Sequence, residues 1–231
     1  TTDSYNTAVG YDAGVAVTTG IQNTIVGGLA GDAITTGDAN VSLGYRSLSA
    51  NTTSNKNTAI GTNALATFNV TTDTDTYNVA LGFSAGTAVT TGINNTLVGA
   101  TAGDALTDAD YNVTVGSGSL GSDTKGNRSV AIGVNALYAQ NFTTSTDNYN
   151  TAVGYGAGVA VTTGIENTLI GGLCGDALTD ADFNVAIGVG SLSADTMGSK
   201  STAIGVAALQ AQNFTTATDS YNTAVGFYAG L

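Results

Sequence analysis

Two short acidic runs hold the residues best placed to do chemistry. "GDALTDAD" puts Asp104, Asp108 and Asp110 close together, and a later copy does the same with Asp176, Asp180 and Asp182. Hard cations such as calcium take about six to eight oxygen ligands, so three carboxylates at this spacing are a beginning. The earliest version of the run reads "GDAITTGDA", which keeps Asp32 and Asp38 and lacks the middle carboxylate. A metal site would be kept intact, so these acids read as solvated turn residues and no metal is favoured. Three Asn-x-Thr triplets, at Asn69, Asn141 and Asn213, are possible acceptors for N-linked sugars in a host that glycosylates. Tyr5, Tyr77, Tyr149 and Tyr221 form one aromatic series; Tyr11, Phe83, Tyr155 and Phe227 form another. Exposed, they would stack on sugar rings; packed against each other, they would be a structural ladder. Lys56, Arg128 and Lys200 also recur at one spacing, as cations set among the acids.

Catalysis finds no such footing. The chain has no His, and its single cysteine, Cys174, stands where related positions hold Ala30 and Ala102. Nucleophilic or acid–base catalysis needs a local constellation that departs from its surroundings. No Ser or carboxylate pair departs from the repeated background, so the chain reads as a non-enzyme without cofactors.

The candidate residues recur because the whole chain repeats. Residues 143–214 match 71–142 position for position, and 1–70 match with a shortened start, leaving 215–231 as a partial unit. Within the 72-residue unit a five-residue frame returns: Asn or Ser, then Thr or Val, a variable residue, an aliphatic one and Gly. It begins at 6, 23, 40 and 57, again at 78, 95, 112 and 129, then at 150, 167, 184 and 201, and last at 222. The spacings are 17, 17, 17 and 21.

That spacing is short for a helical repeat and lacks the tight turns of hairpins. It fits one coil of a parallel β-solenoid, in which each strand finds its hydrogen bonds in the coils above and below. Alternation predicts that positions two and four, for example Thr7 and Val9, face the coil core. Gly at position five marks a bend, and the eighth position, always small, lets coils approach. The recurrent Asn suggests a ladder of amides along the stack. Position three, expected to face outward, is nevertheless apolar in most coils. A strand apolar on both faces is usually covered on both, which predicts a homotrimer. The fold expected is therefore all-β: a single continuous β-roll-like solenoid over 1–231, its longer fourth coils bulging outward.

Composition narrows the partners. There are 32 Gly, no Pro, 42% hydrophobic residues and a net charge of −12 with only five basic residues. Such a chain lacks the basic surface that nucleic acid requires. No run is long and apolar enough to span a membrane, and no leader opens the chain, which reads as an internal or mature segment.

The strings "NTAVGYDAG", "NTAIGTNAL", "RSVAIGVNAL" and "STAIGVAAL" resemble the head repeats of YadA-type trimeric autotransporter adhesins and the repeats of phage tail fibres. The resemblance implies a parallel β-roll and a fibrous, trimeric role on a cell or virion surface. It carries no functional residues, because the shared frame is structural, and the adhesin repeat is shorter, near 14 residues. The expected function is a structural extracellular or virion fibre segment that associates with itself, as a trimer or end to end. A carbohydrate-binding adhesin head is the alternative. An ice-binding solenoid, suggested by Thr pairs such as "VTTG", is a remote third.

Overall fold

The computed structural model describes residues 3–231, and the secondary structure it contains is entirely β. The chain divides into two compact units, one ending at Asn112 and one running Val113–Leu231. In the first unit the three-residue strands Thr7–Val9, Thr24–Val26, Val41–Leu43, Thr58–Ile60, Val79–Leu81 and Thr96–Val98 lie side by side in chain order. Each pairs in parallel with the next, Thr7 opposite Thr24 and Thr58 opposite Val79. In the second unit the strands Val113–Val115, Val130–Ile132, Thr151–Val153, Thr168–Ile170, Val185–Ile187, Thr202–Ile204 and Thr223–Val225 do the same. Both units are parallel β-solenoids, one frame strand per coil.

The strand faces are the reverse of the expectation. The middle residue points into the coil: Ile25, Ala59, Ala80 and Leu97 in the first unit, and Ala131, Ala152, Leu169, Ala186 and Ala203 in the second, are at most 1% exposed. Its neighbours point out: Val79 and Leu81 are exposed on either side of buried Ala80, and Thr7 and Val9 are exposed as well, in a first coil where Ala8 is exposed too. The reason lies in position one. Its Asn is buried, and strand side chains alternate, so position three must share the inward face with Asn while two and four go outward.

That Asn is what joins one coil to the next. Its Oδ1 accepts the backbone N–H of the following coil's Asn: Asn23 accepts from Asn40 at 2.9 Å, Asn78 from Asn95 at 2.9 Å and Asn150 from Asn167 at 2.9 Å. Its Nδ2 donates to a carbonyl further along its own coil, Asn23 to Gly37 and Asn167 to Ala181, both at 2.8 Å. One side chain thus closes its own turn and bonds the next. The residue before each Asn has a left-handed backbone, with φ of 51° to 63° from Tyr5 through Tyr221.

Where the second unit has Ser in place of Asn, the polar core is rebuilt. Ser129 accepts a hydrogen bond from Gln140 Nε2 at 2.9 Å, and Gln140 Oε1 accepts from Asn150 Nδ2 at 2.9 Å. Gln140 also donates to the fully buried Asp123 at 2.6 Å, whose other oxygen accepts from the Gly126 and Phe142 amides at 3.0 Å. Ser201, Gln212 and Asp195 repeat the arrangement. In the first unit the corresponding residues are Asn57, Phe68 and Asn51, so the exchange is concerted. A buried carboxylate is tolerated because donors meet both its oxygens.

The apolar core is also traded between positions. Leu48, Leu65, Leu120, Leu137 and Leu192 are fully buried in a left-handed conformation. That backbone costs about 1–2 kcal/mol, and burying a leucine returns about 1.5–3 kcal/mol, so burial wins narrowly. Coils with Gly at the same place fill the space from elsewhere: a Cβ on Gly31 would meet Ile34 and Ile25, and one on Gly175 would meet Leu169 and Leu178.

The longer fourth coils do not simply bulge. Their final residues ladder back onto the preceding coil, Asn55 with Asp75, Gly126–Asn127 with Thr146–Asp147, and Gly198–Ser199 with Thr218–Asp219. Residues 71–73, 143–145 and 215–217 remain as exposed tips.

The fifth-position glycines set the closeness of stacking. Gly171 has φ of 140°, and a Cβ there would lie 2.6 Å from the Gly188 carbonyl group. Gly171→Ala is expected to destabilise the second unit by about 2–4 kcal/mol, measured as a lowered denaturant midpoint by circular dichroism. An unchanged midpoint would show that the stack can open to admit a methyl group.

Candidate functional site

Each unit presents an outward sheet face built from positions two, four and six of its frames. Position two is Thr or Val throughout, position four is always Val, Leu or Ile, and position six is aromatic, aliphatic or small. None of these residues is charged, in a chain with seventeen acidic and five basic residues. Val9, Leu43, Leu81, Val115, Ile132, Ile170 and Val225 are all exposed, and beside them so are Tyr11, Tyr45, Phe83, Val134, Tyr155, Val189, Val206 and Phe227.

The two aromatic series are treated differently. Tyr77, Tyr149 and Tyr221 belong to clasps built by the long coils. Lys56 pairs with Asp75, Arg128 with Asp147 at 3.0 Å, and Lys200 with Asp219. Each cation also lies over the tyrosine ring, 5.3, 5.9 and 5.3 Å from its centroid. The hydroxyls of Tyr77 and Tyr221 donate to the same carboxylates at 3.0 and 3.1 Å. Lys56, Arg128 and Lys200 are therefore held by the chain itself. The Tyr5 hydroxyl donates to Asp3 at 3.3 Å. Tyr11, Phe83, Tyr155 and Phe227 stand on the uncharged face.

The three sequon asparagines occupy a ladder of side chains. Thr18 and Thr35 each donate to the carbonyl of the next coil; at Asn69 the amide oxygen takes that place, accepting from Thr52 at 2.8 Å, whereas the Thr124 and Thr196 hydroxyls lie 2.8 Å from the Phe142 and Phe214 carbonyls, with the Asn141 and Asn213 amide oxygens farther off at 3.1 and 3.3 Å. Asn141 and Asn213 are exposed and Asn69 is half-buried.

The acidic runs do not converge. Among the described residues no three His, Cys, Asp or Glu side chains are grouped to hold a metal ion. Asp110 and Asp182 instead accept backbone N–H groups from Ile93 and Ile165 of the preceding coil, at 2.7 and 2.8 Å, as Asp38 does from Ile21. Asp108 accepts from the adjoining Thr107 hydroxyl at 3.1 Å, while the Thr179 hydroxyl beside Asp180 donates to the Thr196 carbonyl at 3.0 Å. Burial pushes the Asp104 and Asp176 carboxyls above their ordinary range. Cys174 is fully buried, and the same desolvation pushes its thiol up to about 12, far from the range of a reactive thiolate.

Among the described residues no helix is long and apolar enough to cross a membrane. The features define a tandem-repeat β-solenoid whose outer sheet face is uncharged and whose long coils carry cation–carboxylate–tyrosine clasps. No family model matches the chain, and no curated protein or solved structure does either.

The clasps give a pH signature. Hydrogen bonding to Lys56, then to Tyr77, holds Asp75 below the usual carboxylate range, and Arg128 and Lys200 do the same for Asp147 and Asp219. A depressed carboxylate contributes stability that is present above its unfolded value, near 3.8, and lost as pH falls through its folded value. Lys56 and Lys200 are raised, so their share is present below 10.5 and lost above it. The triple variant Asp75→Asn, Asp147→Asn, Asp219→Asn should therefore melt lower than the parent at pH 7 and converge with it as pH falls below 3.8 and through the depressed folded values. Parallel melting curves across that range would remove the clasps from the account of stability.

Proposed function

We propose that this chain is a structural, non-catalytic segment of an extracellular or virion fibre, a shaft or adhesive stalk. Its copies associate laterally through the uncharged sheet face, as a homotrimer built on coils of 17, 17, 17 and 21 residues. The observation that carries the reading is the unbroken aliphatic fourth position, pointing away from the chain's own core. A β-branched or aliphatic residue in every coil is not needed for a solvated face, where polar residues serve as well. With coils about 4.8 Å apart and three side-chain columns about 7 Å apart, the face covers roughly 400 Å² in one unit and 480 Å² in the other. Each unit alone thus offers half or more of the ~800 Å² per partner of a standard protein interface. Resemblance to trimeric adhesin and tail-fibre repeats supports the same reading.

Light scattering coupled to size exclusion is expected to give three times the 22.7 kDa chain mass. Replacing Leu43, Leu81, Ile132 and Ile170 with Lys should yield folded single chains, since these side chains are exposed in the protomer. A wild-type chain that stays single at micromolar concentration would sink the proposal.

A second reading, a carbohydrate-binding adhesin head, is supported by the exposure of Tyr11 and Tyr155. It expects binding on a glycan array that disappears in the Tyr11→Ala, Tyr155→Ala variant. Binding that survives this change, or none in the wild type, would leave the fibre role alone.

A further inference from the structure

We infer that the sixth-position aromatics are keys that fit small-residue gaps in a second copy of the chain and so fix the register between copies. The inference rests on the lateral association proposed above and adds what aligns it. The aliphatic fourth column cannot do so. It is nearly the same in every coil, and two such columns would pack equally well after sliding by one coil or several.

The sixth position breaks that sameness, and one element of its variation recurs with the 72-residue unit. The first coil of each unit has a large aromatic there, Tyr11, Phe83, Tyr155 or Phe227, 77%, 59%, 63% and 72% exposed. The coil after the first three has Gly28, Ala100 or Gly172. Backbone hydrogen bonds from Leu29 to Tyr11, Thr101 to Phe83 and Leu173 to Tyr155, at 2.8 to 2.9 Å, set each small residue directly beside its aromatic.

The two glycines have no explanation within the chain. A Cβ on Gly28 would meet nothing closer than the Tyr45 ring at 3.7 Å, and on Gly172 nothing closer than the Tyr155 carbonyl oxygen at 4.0 Å. Neither has a left-handed φ. Every other glycine whose surroundings are described either has such a φ or would bring a Cβ within 3.2 Å of a neighbour. Glycine costs chain entropy on folding, so its use where a side chain would fit points to a need for the space itself. The occupant must be bulky, apolar and spaced every four coils. A second copy carries such a group in its own aromatic. An offset of one coil seats Tyr11, Phe83 and Tyr155 in the three gaps, and a further slide of one coil sets Tyr11 and Tyr155 against Tyr45 and Val189 instead.

The test uses the whole chain with Cys174→Ala and a nitroxide on Ser145→Cys, at an exposed tip. Pulsed electron paramagnetic resonance reads the alignment, and sedimentation velocity reads the concentration at which the assembly half dissociates. The parent is expected to show one narrow distance. Two variants are compared with it: Tyr11→Ala, Phe83→Ala, Tyr155→Ala, Phe227→Ala, and separately Gly28→Leu, Gly172→Leu. Each should keep the parent's circular dichroism, and either raise the half-dissociation concentration at least tenfold or split the distance into several. A variant of either kind that assembles at the parent's concentration with the parent's single distance overturns the inference. A parent chain that does not assemble removes the lateral association as well.

Discussion

Everything in this fold depends on how a short coil disposes of its backbone polar groups. Three-residue strands cannot satisfy themselves, and each coil turns sharply at both ends of its strand. The buried asparagine resolves both difficulties at once. Its carbonyl oxygen takes the amide of the next coil while its amino group closes the turn of its own, as at Asn23 and Asn167. Because the residue is buried and strands alternate, the same asparagine decides which side chains face the core. The choice of position three as core, and of the aliphatic fourth position as surface, follows from it.

Much of this was legible in the chain before any coordinates. The frame, its spacing, the obligatory glycine and the small eighth position point to stacked parallel coils, and the strand pairing agrees. The facing of the strand was misread because aliphatic residues at position four look like core when hydrophobicity alone is weighed. The signal lies in position one: an asparagine that recurs in all but two frames, with Ser129 and Ser201 in those two, must be buried and bonded, and position three lies on its side of the strand. Thr7 and Val9 therefore belong to the surface.

Other features lay beyond local patterns. Lys56 and Asp75 are 19 residues apart, and only the addition of four residues to the coil brings them together over Tyr77. The buried carboxylates of Asp123 and Asp195 look like any other acids in a turn. Comparing units would have exposed them, since Asn51, Asn57 and Phe68 change together to Asp, Ser and Gln. The role of the acidic runs is equally invisible in local pattern: the fold uses Asp110 and Asp182 to receive amides from the coil before.

The exchange of leucine and glycine around the core has a consequence for how such a chain can change length. A coil with Gly31 needs Ile34 and Ile25 to fill its interior, whereas a coil with Leu48 fills it from another side. Coils are thus not interchangeable bricks: each is cut to the one below and the one above. Deleting a single coil would put the paired filling schemes, Gly14 with Gly31 and Leu48 with Leu65, out of step with the long coil that carries each clasp, whereas gain or loss of four coils together keeps both, so the 72-residue block is the natural quantum of growth.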